Sequence, residues 1–317
     1  MSKAISYLCY ITGAAKSRFE HEDLMERGRA LIQESISFGV THMRAFVEVD
    51  LGVRMKCLQA GLALKREFED KCHVQICVFA QDPIVSYADE GRDMMRLLEE
   101  AVITAGVVAV GSTPYVEEGG DPAKQTRNIQ YIINLGKKHK LHLDFHIDYN
   151  LNPETPVMVS KTIDLLHVTG WPTDKLSSDF RTVVFGHCTR LTLLERKDWF
   201  HLCESIGELP VSFIGLPTSD LFMMGRPKDE DSAGERPRGT LQIPQMVQLY
   251  GINAAIGINN VGNAFTPQGS CDPLSLASQG VGIYQAGTKQ DADTLLVITL
   301  RTLMLLCLYH PTGLCII

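Results

Sequence analysis

Seven short apolar runs rich in β-forming residues recur along the chain, and the segments between them carry helical periodicity. The runs are VTHMRAFVEV from Val40, VQICVFAQ from Val74, AGVVAVGS from Ala105, LHLDFHID from Leu141, RTVVFGHC from Arg181, LPVSFIGLP from Leu209 and INAAIGINN from Ile252. Their starts lie roughly 30 to 43 residues apart, room for a strand, a loop and a helix in each unit. In HEDLMERGRALIQESISFG, Leu24, Leu31 and Ile32 fall toward one face, with acidic residues in the first turn and Gly39 at the end. RNIQYIINLGKKHK repeats the pattern with Ile129, Ile132 and Ile133 and a basic last turn. Strands that are nearly all apolar, alternating with helices, imply a parallel sheet covered by helices. The expected fold is α/β, a (β/α)8 TIM-type barrel formed by residues 1–317 as a single domain, with an open doubly wound sheet as the alternative.

Each apolar run ends in polar residues: Glu48 and Asp50, Gln81 and Asp82, Ser112 and Thr113, His146 and Asp148, His187, Thr218, Asn259 and Asn260. In a barrel these C-terminal strand ends converge on one mouth, where the chemistry of such folds resides. The repetition around the ring carries this argument, since any single strand can end in a polar residue.

Composition narrows the partners. Of 317 residues, 45% are hydrophobic and 21% charged, enough for a large core, and the net charge of −7 leaves no basic footprint for nucleic acid. No Lys/Arg block favours an anionic membrane. The apolar C-terminal run TLLVITLRTLMLLCLYH is short for a span, carries Arg301 and reads as a buried helix. The N-terminal segment lacks the clean apolar core of a signal peptide. Nine cysteines without a C-x-x-C spacing read as reduced thiols of a cytoplasmic protein. QGVGIYQAG has the wrong spacing for a dinucleotide site, and P-loop, G-x-S-x-G and H-E-x-x-H motifs are missing. The charged stretch 225–240 reads as a loop beside the mouth.

The blocks GVTHMRAFVEVD, VQICVFAQDPI, VGSTPYVE, LHLDFHID, VVFGHCTRL, FIGLPTSDLFMMGR and INAAIGINNVGNAFTPQGS follow one another as in the cytosine deaminase branch of the amidohydrolase superfamily, which the chain resembles from about residue 15 to 309. The resemblance implies a (β/α)8 barrel with one Zn or Fe ion, held by an H-x-H, a further histidine and an aspartate. A glutamate shuttles the proton and another histidine polarises the developing charge. Carried over by position, His146 stands at a metal-ligand position, and is the only retained ligand. His187 stands at the polarising histidine and Gln81 at the glutamine that reads the substrate ring. The shuttle position holds Tyr149, the aspartate position holds Asn259, and Asn260 is its neighbour; no H-x-H is present. The expectation is therefore a degenerate metal site in a barrel without the usual first strand and flanking small β-sandwich, with no cofactor bound.

On this reading His187, His146, Asp148 and Tyr149 are the candidate acid–base groups, and Gln81, Asn259, Asn260 and Phe265 the candidate substrate contacts. The expected function is metal-independent proton transfer, elimination, isomerisation or cyclisation on a small heterocycle or carbonyl compound. One alternative is a Zn- or Fe-dependent hydrolase or deaminase of cyclic amidines or amides. The other is a pseudoenzyme that binds a small molecule or a partner. Family members are oligomers, so a homo-oligomer is expected, with AISYLCYI, a partner subunit or the tail GLCII covering the strand edge left open.

Overall fold

The computed structural model describes residues 12–225 and 237–300, together with the backbone of 314–316. All seven apolar runs become parallel strands: β1 (Val40–Glu48), β2 (His73–Ala80), β3 (Val107–Ser112), β4 (His142–Ile147), β5 (Val183–His187), β6 (Val211–Gly215) and β7 (Ala254–Ile256). A three-residue β8 (Leu314–Ile316) pairs in parallel with the free edge of β1, so the tail lies where the open edge called for cover. The strand order is β7-β6-β5-β4-β3-β2-β1-β8, each of the seven main strands beside its sequence neighbours. The segment AISYLCYI, Arg301 and most of the loop 225–240 fall outside the described residues.

Helices follow as the periodicity requires: α1 (His21–Ser37), α2 (Lys56–Glu67), α3 (Arg92–Val102), α4 (Pro122–His139), α5 (Met158–Val168), α6 (Arg196–Ile206), α7 (Pro217–Met223), α8 (Ile243–Tyr250), α9 (Pro273–Ile283) and α10 (Lys289–Leu300). Local chemistry sets their ends. Asp121 accepts the Ala123 amide and Pro122 opens α4, which closes on Lys137, Lys138 and His139 at the negative end of its dipole. Glu195 and Asp198 form a reciprocal capping box on α6. The QGVGIYQAG stretch begins inside α9, where no strand precedes it. Among the described residues no helix is long and apolar enough to cross a membrane. The six described cysteines are free thiols.

Strand parity divides the side chains. Phe145, Phe185 and Phe213 point outward from β4, β5 and β6 and pack ring against ring under the helices, all fully buried. The inward set is different in kind: Arg44, Phe46 and Glu48 from β1, Gln75, Cys77 and Phe79 from β2, Asp144 and His146 from β4. In a flat sheet β1 and β4 would stand about 14 Å apart, three strand spacings. Yet the Arg44 guanidinium meets the Asp144 carboxylate at 2.7 Å, and the Phe46 and His146 rings lie 5.0 Å apart. The sheet is therefore curled around this inner layer. No ladder joins β7 to β8 among the described residues, so the curl is an open half-barrel of TIM type.

Arg44 also donates to the Gln75 side-chain oxygen at 3.1 and 3.2 Å, and both members of the ion pair are buried. Removing one partner strands a buried charge, so Asp144→Leu or Arg44→Met is expected to cost about 3–5 kcal/mol. The double substitution is expected to recover most of that loss, because no charge is then left unpaired. Urea unfolding of the two single variants and the double variant checks this; two single losses that simply add would contradict it.

Candidate active site

Above the Arg44–Asp144 layer, a chain of rings runs along the inner wall. Phe46, Phe79 and His146 contact one another at 4.7 to 5.2 Å; His146 meets His187 edge-on at 4.9 Å, and Tyr149 lies 4.2 Å from His187. Tyr115 closes the row at 5.7 Å from Tyr149. His146 needs a glycine beside it: a Cβ on Gly186 would stand 2.9 Å from the His146 ring. Burial, with the neighbouring His187 adding to it, pushes His146 well below the usual imidazole range, so it is neutral.

His187 reaches this wall by an exception to strand parity. Phe185 points outward and Gly186 inward, which would turn His187 outward. Instead His187 and Cys188 adopt φ of +66° and +47°. A bulky residue in this left-handed region costs of order 1–3 kcal/mol and persists only where its surroundings hold it. What holds His187 is Asp220 in α7, whose Oδ1 lies 2.7 Å from Nδ1. The other oxygen, Oδ2, accepts the Thr240 hydroxyl at 2.7 Å. Asp220 is wholly buried, and burial raises its pKa against the pull of His187 and Thr240. A carboxylate only accepts, so Nδ1 of His187 carries the proton and Nε2 is the nitrogen left for chemistry.

The structure thus brings His187, His146 and Tyr149 together. The Tyr149 hydroxyl is buried near Ser219 without a hydrogen bond of normal geometry, and burial, reinforced by the Asp220 charge, raises its pKa. It is a neutral phenol, a donor without a partner. Asp148 is placed differently. At φ +53° its carboxylate turns to the start of α5 and accepts the Met158 and Val159 amides, both at 2.9 Å. Burial raises it to about 6, opposed by those amides, and its work here is to cap the helix. His142, two inward positions deeper on β4 than His146, is engaged with Thr182 at 2.8 Å.

Among the expected substrate contacts, Asn259 donates from Nδ2 to Ser219 Oγ at 3.0 Å, beside Asp220. Asn260 lines a small cavity with Thr218, Ile258 and Gln268. Gln81 is half-buried at the end of β2, its carbonyl accepting the Thr113 hydroxyl at 2.9 Å. Phe265 is half-buried on the loop beyond β7, where Asn263 Oδ1 accepts the amides of Phe265 and Thr266.

Three residues at the mouth were not expected: Asp220, Thr240 and Lys16. Asp220 had a signal, a single carboxylate among the apolar residues of LPTSDLFMM, which burial obliges to find partners. Lys16 ends a helical turn at 12–16, and its ammonium sits among the carboxylates of Glu48, Asp50 and Asp82, bonded to Glu48 and 3.3 Å from each of the others. These three acids are the one group of three potential ligands within bonding reach of a common ion among the described residues.

The ion implied by the resemblance finds a poor donor set at His146. Its ring is packed between Phe46 and Phe79, and Asn259 supplies a neutral amide already bonded to Ser219. Among the described residues His146 belongs to no group of three or more His, Cys, Asp or Glu side chains able to share an ion. These residues do not fit a Zn or Fe centre at that position.

Compared with solved structures, the chain is similar to 5-methylcytosine deaminase from Klebsiella pneumoniae liganded with 5-fluorocytosine, at a TM-score of 0.76 and 23% identity. The match covers 92% of this chain and 66% of that one. The same enzyme liganded with phosphonocytosine matches at 0.75. N-isopropylammelide isopropylaminohydrolase from Burkholderia multivorans ATCC 17616 matches at 0.67 and 20% identity, over 90% of this chain and 64% of that one. The chain has the fold of these hydrolytic enzymes. It spans just under two thirds of their length. No family model matches it, and neither does any curated protein.

One ammonium cannot neutralise three carboxylates, and burial pushes Glu48 up to about 7 against the pull of Lys16. An acid raised in the folded state favours folding while protonated. Its contribution is full below the unfolded value of 4.5 and is lost as pH rises to about 7. Relative to Glu48→Gln, the wild-type melting temperature is therefore expected to fall between pH 4.5 and 7. A constant difference across that window would contradict the assignment.

Proposed function

We propose that this chain is an amidohydrolase-like enzyme whose half-barrel mouth acts on a small heterocyclic or carbonyl compound by acid–base chemistry led by His187, without a bound metal. The observation that carries the reading is the His187–Asp220–Thr240 chain. It fixes one imidazole tautomer, spends backbone strain to aim the ring into the mouth, and balances any positive charge that the ring acquires. Beside it, His146 offers a neutral imidazole, and Tyr149 a phenol able to donate to an oxygen that becomes negative. Gln81, Asn259, Asn260 and Phe265 are proposed to orient the substrate. Proton transfer, elimination, isomerisation or cyclisation suits this set better than hydrolysis, which needs an activated water. Asp148, occupied by two backbone amides, is proposed to act through the loop that carries Tyr149.

A second reading has one observation in its favour. Glu48, Asp50 and Asp82 form an all-oxygen cluster in which a divalent ion could replace the Lys16 ammonium, which would suit a metal-dependent hydrolase or deaminase of cyclic amidines or amides. A cytoplasmic location and a homo-oligomeric state remain part of the proposal.

The test is a panel of cyclic amides, amidines and lactones, followed by thermal shift and by product mass. The expected result is turnover that survives a chelator and falls at least 100-fold in His187→Ala. Turnover abolished by the chelator and restored by one metal would replace this reading with the second. Ligand-induced stabilisation without product would make the chain a binding protein.

A further inference from the structure

We infer that Thr240 is a positioning residue for His187, so that the short limb 237–240 belongs to the acid–base apparatus. The inference rests on the reading of His187 as the working group. Thr240 is 34 residues beyond the end of α6 and 25 before Phe265 in the chain, and nothing in its sequence surroundings GERPRGTLQ marks it as functional.

The geometry makes the assignment. Asp220 is fully buried and Thr240 is 2% exposed, so water is a poor substitute for either as a partner. The carboxylate divides its oxygens, Oδ1 to His187 Nδ1 and Oδ2 to the Thr240 hydroxyl, each at 2.7 Å. The Asp220 backbone is fixed as well, its amide donating to the Leu216 carbonyl at 2.9 Å. The limb that delivers Thr240 is tied to the same helix: the Arg238 guanidinium donates to the Leu221 carbonyl, at 2.8 Å from Nε. On the far side, Leu241 and Ile243 are wholly buried and anchor the limb in the core.

Two further hydroxyls explain why Thr240 matters. Those of Tyr149 and Tyr284 are buried without a hydrogen bond of normal geometry, beside the Ser219 and Thr240 hydroxyls respectively, and the Asp220 charge acts on both phenols. Without the Thr240 hydroxyl, Oδ2 is an orphaned acceptor in a dry site, a state proteins avoid. The carboxyl then either takes up a proton or rotates toward a tyrosine. Both outcomes release Nδ1 of His187 from a single acceptor, and both tautomers of the ring become populated. Thr240 thus acts on the imidazole through Asp220 and touches no substrate.

The tautomer can be read without any substrate, from the side-chain nitrogen shifts of 15N-labelled protein at one fixed pH, with the His187 signals assigned by their loss in His187→Ala. Wild type is expected to show a single neutral tautomer, protonated at Nδ1. Thr240→Val, equal in shape but without the hydroxyl, is expected to show both tautomers, and Thr240→Ser to restore the single one. If Thr240→Val keeps the wild-type shifts while remaining folded, the inference fails. If Thr240→Val does not fold, Thr240→Ser and Thr240→Ala take its place, and equal shifts in these two would overturn it. With a substrate in hand, Thr240→Val is expected to lower kcat about 10-fold with KM little changed; a change confined to KM would contradict a positioning role. Lack of turnover in the wild type, by contrast, would count against the proposed function and leave the tautomer result standing.

Discussion

The ion pair between Arg44 and Asp144 is the contact on which the rest of the interior depends. It joins strands that are three positions apart in the sheet, and it is possible only because the sheet curls. Once β1 faces β4, the next inward residues along these two strands must meet too, and Phe46 and His146 do, with Phe79 of β2 packed against both. One step higher, the same parity brings Glu48 to the rim with Asp50 and Asp82, where Lys16 bridges them. The three tiers are polar, aromatic and acidic in turn. The first two are built from residues that share strand parity, a spacing of two along the chain, whereas Asp50 and Asp82 of the third lie beyond the ends of β1 and β2.

That spacing is why most of the fold was legible. The apolar runs that began at Val40, Val74, Ala105, Leu141, Arg181, Leu209 and Ile252 each coincide with one observed strand to within a residue or two, because the face of a strand that packs under the helices has to be apolar. The candidate site was legible only in part. His146 lies within its strand and follows parity, whereas His187 and Asp148 sit at strand ends with positive φ, where parity no longer says which way a side chain points. For His187 the turn leads into the mouth; for Asp148 it leads to a helix terminus. Asp220 and Thr240 lie 33 and 53 residues from His187 in the chain, a pairing that only tertiary structure reveals.

The chemistry follows from what each charged or polar group has been given as a partner. A metal at His146 would need anionic ligands, and the tier around His146 is aromatic, while Asn259 offers only an amide bonded to Ser219. The negative charge of the mouth is gathered elsewhere, at the rim around Lys16 and in Asp220 behind His187. A buried carboxylate that holds a strained histidine in one tautomer is an arrangement suited to moving protons. A shared fold does not by itself fix the chemistry, since function follows the side chains at the strand ends.

The central claim is that the mouth works through His187 and Asp220 with no ion at His146. The most direct measurement is elemental analysis of protein purified without chelator or affinity metal from cells supplied with zinc and iron, for the wild type and for His146→Leu. The account predicts far less than one equivalent of either metal in both proteins. Close to one equivalent of Zn or Fe in the wild type, lost in His146→Leu, would contradict it.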